Sequence, residues 1–261
     1  MPLYAFEKGL NMKRISALFF VLFIVSCKTN VNEIEQLKYS EADLKSLNDS
    51  DRNQYYNDAA FIEFGELLKN STKKTNQVEL NENSILSYYE DLLYIYNNSF
   101  SVSNSFFEYA TLLHSLGTSA LYRITVSVDT NKFWSNNWKD GVKSTGLPEI
   151  DSIISIYNLE VKLLYELNGK YQYEIQSKIP INYLALIQKF KETEKFVYVE
   201  PTILTGGGSN ISLRTENNHR YYTYYYGWGD CPSGCINYHY WTVELKEQNI
   251  ALFDEGGDVL E

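Results

Sequence analysis

The chain has 261 residues, of which 44% are hydrophobic and 21% charged, and its formal net charge is −10. This composition excludes a disordered chain and fits a globular protein with one or two domains. The acidic balance, without a local basic cluster, sets nucleic-acid binding aside, while 23 tyrosines permit a recognition surface beyond what a core needs.

Met12-Lys13-Arg14 is a positively charged start, and Ile15 to Val25 is apolar apart from Ser16. The run is shorter than the ~20 residues of a bilayer span and has the form of an export signal. Ser26 before Cys27 makes the end of this run resemble the bacterial lipobox, whose cysteine is diacylated and becomes the first mature residue. Residues 1–27 are therefore expected to be a lipoprotein signal peptide with translation starting at Met12, and Cys27 to carry acyl chains into the lipid bilayer. Lys28 in the next position, rather than Asp, points to the outer membrane instead of the inner. Removing residues 1–27 takes away three basic residues and one acidic, so the formal charge moves from −10 to −12. A body this acidic gains nothing from anionic lipid, and the acyl chains must hold it at the membrane.

Lys28 to Asn32 reads as a polar tether, and Glu33 to about His114 as helical. Ser40 and Asp43 have the spacing of a capped helix start. Ala59, Ile62, Phe64, Leu67 and Leu68 form one amphipathic stripe and Ile85, Tyr88, Tyr89 and Leu92 another, with a polar loop expected over Asn70–Asn76. From Ala120 the period changes to two. Tyr122, Ile124, Val126 and Val128 alternate as a half-buried strand, and Thr130–Thr145 is irregular. Pro148 opens a helix carrying Ile150, Ile153, Ile154 and Tyr157. The alternating runs Leu159–Tyr165 and Tyr171–Ile175 flank Asn168-Gly169, a hairpin signal. Tyr183–Phe190 gives a second helix, and Phe196–Val199 a last strand closed by Glu200-Pro201. The order strand, helix, strand, strand, helix, strand predicts a ferredoxin-like split βαβ module.

The remaining tail is rich in β pattern. Arg220–Tyr226 and Ile236–Leu245 are expected to pair antiparallel, with Ile250–Phe253 a shorter strand and Gly206-Gly207-Gly208 a turn. The fold class is thus α+β, with a tether and helical region over 28–118, the ferredoxin-like module over 119–204 and an aromatic antiparallel tail with a cysteine-closed hairpin loop over 205–261.

The segments TGLPEIDSIISIYNLEV and ALIQKFKETEKFVYVEP resemble the subtilisin-propeptide type of inhibitor domain. Followed by YGWGDCPSGCINYHYW, they resemble a group of secreted and lipid-anchored proteins of Bacteroidota-type Gram-negative bacteria. The resemblance runs from about Ile85 to the C-terminal end. It implies the ferredoxin-like module and supplies no active site; it also raises protease inhibition in trans. In propeptides the last strand leads to a free end, whereas Pro201 leads here into more sheet.

Cys231 and Cys235 flank a tight Pro-Ser-Gly turn in an exported chain, so a loop-closing disulfide is the preferred expectation. Zinc is the alternative, with His239 and either His219 or Asp230 completing the ligands. A thioredoxin-like pair fits less well, because such cysteines are two residues apart at a helix start. The sequence carries neither a Gly-x-Ser-x-Gly nor a His-Glu-x-x-His motif. The expected activity is therefore non-catalytic binding of a protein or glycan, without a cofactor. Tyr224, Tyr226, Trp228, Asp230, His239 and Trp241 are the candidate contact surface.

Overall fold

The computed structural model describes residues 47–69, 71–202, 207–247 and 249–260. The signal segment, Cys27, the tether and the Ser40 cap lie outside them. The described residues belong to one compact unit, Gln36–Glu261.

The chain is α+β, as its periodicities predict. Helix α1 (Asp49–Leu68) starts where the Asn48 side chain accepts from the Asp51 N–H, and it buries Tyr55, Ala59, Ala60, Ile62, Phe64 and Leu67. Helix α2 (Ser71–Asn76) replaces the expected loop. STKKTN has no apolar stripe, and the turn is held from outside. The Asn182 side-chain amide donates to the carbonyls of Lys74 and Gln77 at 3.0 and 2.8 Å. The Asn182 oxygen also caps helix α8 (Tyr183–Glu192), so one buried side chain joins the two segments. Helix α3 (Glu82–Asn97) follows, capped by Asn81, and then the short helices α4 (Ser99–Val102) and α5 (Asn104–Tyr109).

Strands β1 (Arg123–Asp129), β2 (Glu160–Leu167), β3 (Lys170–Gln176) and β4 (Tyr198–Pro201) form one sheet in the order β2-β3-β1-β4, every neighbour antiparallel. With helix α7 (Pro148–Ile156) between β1 and β2 and α8 between β3 and β4, this is the ferredoxin-like topology. The hairpin turn at Asn168 and Gly169 has φ of 51° and 71°, the left-handed pair that Asn-Gly supplies at low cost. The stretch read as irregular contains helix α6 (Phe133–Lys139), which places Trp134 and Trp138 one turn apart. Their rings meet edge to face at 5.6 Å and pack with Phe196 and Tyr173 into the core of this module.

The loop before α7 is drawn onto one carboxylate. Asp151 Oδ1 accepts from the Thr145 N–H and hydroxyl at 2.7 and 2.8 Å, and Oδ2 from the Ser144 hydroxyl and the Gly146 N–H at 2.7 and 3.1 Å. Partial burial pushes this carboxyl up, but the four hydrogen bonds outweigh it and hold the pKa below its ordinary 3.8. A depressed folded pKa contributes stability that is present above the unfolded value and lost as pH falls through the folded one. Asp151→Ala should therefore cost about 1 kcal/mol at neutral pH. The difference from the parent should shrink as pH falls below 3.8, measured by urea unfolding at a series of pH values.

The C-terminal segment forms a second sheet, a meander of β5 (Asn210–Glu216), β6 (His219–Trp228), β7 (Asn237–Lys246) and β8 (Asn249–Gly257) in that order. The expected β6–β7 pair is present, and β8 is longer than the sequence suggests. Strand β5 is an addition, joined to β6 by Asn217 and Asn218, with φ of 50° and 64°.

The two sheets have separate cores. Ile124, Val126, Tyr173, Ile175 and Phe190 belong to one, beneath α7 and α8. The second unites segments far apart in sequence: Tyr55, Ala59, Leu92 and Phe106 from the helical region pack on Ile211, Tyr222, Tyr224, Trp241 and Val243 from the C-terminal sheet. The helical region and the C-terminal meander thus complete each other, because each alone leaves an apolar face in water.

Candidate functional site

The β6–β7 hairpin is closed by a disulfide between Cys231 and Cys235, with Cα atoms 3.9 Å apart, across a single 3-10 turn at Cys231–Ser233. Closing so short a loop removes unfolded-state freedom equivalent to about 2 kcal/mol. The preferred sequence expectation is met. Each sulfur is bonded to the other, which removes both as thiolate ligands for zinc in this state.

The closed loop folds back on its own strands, and this explains two glycines. A Cβ on Gly227 would stand 2.7 Å from Cys235 Sγ, and one on Gly207 would stand 2.5 Å from the Cys235 nitrogen. The Gly207 N–H donates to the Cys231 carbonyl at 2.6 Å. The glycine run, read as a turn, brings Gly207 against the disulfide loop, where a side chain has no room.

The register then decides which aromatics face outward. Tyr224 pairs with Trp241, Tyr226 with His239, and Trp228 with Asn237, so all six share one parity. That parity faces the helices. Phe106 meets Tyr224 at 4.9 Å and Trp241 at 6.0 Å, and Tyr109 meets Tyr226 at 5.0 Å. Tyr224, Trp241 and His239 are buried, and Tyr226 and Trp228 are half-buried in a stacked pair 5.3 Å apart. The expected contact surface is corrected accordingly. Tyr224, His239 and Trp241 are core, Tyr226 and Trp228 lie at its margin, and of the six only Asp230 is exposed.

The opposite parity, outside the expected contact residues, forms the outer face. Tyr225 pairs with Tyr240, Thr223 with Thr242, Tyr221 with Glu244 and Gly227 with Tyr238. Tyr225 is 37% exposed, Tyr238 41% and Phe253 on β8 56%, with Ile236 at the tip at 71%. Arg214 lies over the Tyr221 ring at 4.2 Å, and Phe253 meets the same ring at 4.9 Å. A signal for this parity exists in the sequence. Trp241, Val243 and Leu245 alternate with Thr242, Glu244 and Lys246, so the odd positions of β7 must point inward. On β6 the signal is erased, because Tyr221, Tyr222, Tyr224, Tyr225 and Tyr226 put the same residue on both faces.

Each histidine meets a carboxylate. His114 Nδ1 lies 2.6 Å from Asp58 Oδ2, whose other oxygen accepts from the Ser115 N–H at 2.7 Å. Burial pushes the Asp58 carboxyl up, against the pull of His114 and Ser115. His219 Nδ1 lies 2.5 Å from Glu244 Oε1, which also accepts from the Tyr221 hydroxyl; these bonds hold the Glu244 carboxyl below its ordinary range. His239 Nδ1 donates to the Asp258 carbonyl at 2.7 Å, and its Nε2 faces Glu255 Oε1 at 3.3 Å. The same Glu255 oxygen accepts from Trp241 Nε1 and the Ser105 hydroxyl, at 3.0 and 2.8 Å. These contacts tie β7, β8 and α5 together and serve the second core. Among the described residues no group of three or more metal-ligating side chains converges, and no helix is long and apolar enough to cross a membrane.

Comparison of the chain with protein-family models, curated proteins and solved structures gives no match.

Proposed function

We propose that this is a lipid-anchored cell-envelope protein that binds a protein or glycan partner without catalysing a reaction on it. The export signal and the lipobox-like Ser26-Cys27 support the anchor, with the outer membrane as its site. The resemblance of the tail motif to lipid-anchored envelope proteins points the same way.

The observation that carries the binding reading is the outward tyrosine row of the C-terminal sheet. Tyr225, Tyr240 and Tyr238 stand on strands backed by a packed core and closed at one end by a disulfide. Tyrosine offers a large apolar face with a polar tip and few rotatable bonds, so a rigid row of them loses little entropy on binding. The second reading, a propeptide-like inhibitor, has the strand order in its favour. Its weakness is that the chain after Pro201 continues into β5 instead of offering a free end.

Immobilised mature protein should retain envelope polysaccharide or a purified envelope protein. The double variant Tyr225→Ala, Tyr238→Ala should lose about tenfold in affinity at a cost of about 1 kcal/mol in stability. Equal retention by parent and variant would remove the outer face from the reading. Labelled palmitate should enter the parent and not Cys27→Ser.

A further inference from the structure

A concave feature lies at the start of β1, well apart in sequence from the tyrosine row. Asn57 on α1, Ser119 and Tyr122 on the 3-10 turn Thr118–Tyr122, Arg123 at the start of β1 and Gln176 at the end of β3 line an open cleft of about 400 Å³. That volume is within the ~300–1,000 Å³ of small-molecule sites.

Two atoms of its lining residues find no partner in the protein. Arg123 Nε and Ser119 Oγ are shut off from solvent and have no hydrogen-bond partner. The guanidinium is held only at Nη1, by Glu174 Oε2 at 3.5 Å, the outer limit of a hydrogen bond. Glu174 is itself shared with the Gln176 amide. The Tyr122 hydroxyl donates to Asn57 Oδ1 at 2.6 Å, which occupies the acceptor of that amide and leaves its NH2 as the group for a ligand. Buried polar atoms are ordinarily paired, so two orphans in one cleft ask for an acceptor from outside. A guanidinium with Nε free is built to take a planar carboxylate through two parallel bonds.

We infer that the cleft binds a small carboxylate ligand, toward which the Arg123 side chain, 37% exposed, turns to present Nε and its second Nη to the carboxylate, while the Ser119 hydroxyl rotates out to join Asn57 Nδ2 on a neighbouring oxygen. A free organic acid and the uronic-acid unit of an acidic glycan share this chemistry. The site is independent of the tyrosine face, and neither result decides the other.

The test is titration of the 15N-labelled mature protein with glucuronate, lactate and glucose, read at the Arg123 Nε–H resonance in the parent and at the backbone amides of Ser119, Tyr122 and Gln176 in parent and variants. Saturable shifts with an acid, and none with neutral glucose, are expected. Tighter binding of glucuronate identifies the acidic-sugar source, and equal or tighter binding of lactate the organic acid. Arg123→Gln should weaken binding of the acid by about tenfold or more. Ser119→Ala keeps the guanidinium, removes an unpaired hydroxyl and should weaken binding without loss of stability. If neither acid gives a saturable shift, the inference is overturned. Unchanged affinity in both variants overturns it equally.

Discussion

Trp241→Ala should destabilise the protein by about 3–5 kcal/mol, the range for deleting a large aromatic from a packed core. Trp241 has no exposed surface, although its place in an aromatic cysteine-containing motif suggests a contact residue. Its ring is bracketed by Phe106, Tyr109 and His239 at 6.0, 5.7 and 4.5 Å. Its indole N–H donates to Ser105 and Glu255, on α5 and β8. Truncation therefore opens a cavity between sheet and helices and also withdraws a donor from the Glu255 carboxylate. Trp241→Phe keeps most of the volume and loses only the donor, so it should cost less than half as much. Denaturant unfolding of the three proteins measures both effects. A loss below about 1 kcal/mol for the alanine variant, the level of an ordinary surface change, would mean that this core does not bind the sheet to the helices.

The second large effect is expected at Asp91 on α3. Its carboxylate is 1% exposed and accepts from Arg220 on β6 at 2.7 Å, and the buried Tyr222 hydroxyl donates to the same oxygen. Burial, and then the Asp91 charge, push the Tyr222 hydroxyl well above its ordinary pKa, so it remains a donor at every physiological pH. Removing one member of a buried pair strands the other charge, and Asp91→Ala should cost about 3–5 kcal/mol. The pair as such is a different matter. Replacing both residues, Asp91→Leu with Arg220→Met, should recover much of that loss, since two desolvated charges disappear together. A double variant as unstable as the single one would show that Arg220 is not the group left stranded. The ion pair does positional work in either case, because it joins the helix and the strand of one core at defined residues.

Local periodicity carried far. The Asn168-Gly169 turn, the strands around it and the apolar helix faces are readable because each depends on a few neighbouring residues. The same holds for the disulfide, where four positions of separation and a Pro-Ser-Gly turn leave little choice of partner. Helices α2 and α6 are not legible in the periodicity, for opposite reasons. The first has no apolar stripe and is held by Asn182, 108 residues away from Lys74. The second hides its stripe in two tryptophans one turn apart.

By itself, the sequence determined the α+β class, the ferredoxin-like order of elements and the rigidity of the hairpin loop, all consequences of spacing along the chain. Only the tertiary structure decided that the helical region and the C-terminal sheet share a core. Only it showed that Trp241 and Tyr224 face that core, and that Arg123 and Ser119 reach one cleft. Strand parity is a choice between two faces, and where tyrosine occupies both, the hydrophobic contrast that makes the choice is absent. The helices that cover one face then settle it, because burying Tyr222, Tyr224 and Trp241 there completes a core that neither segment can close alone.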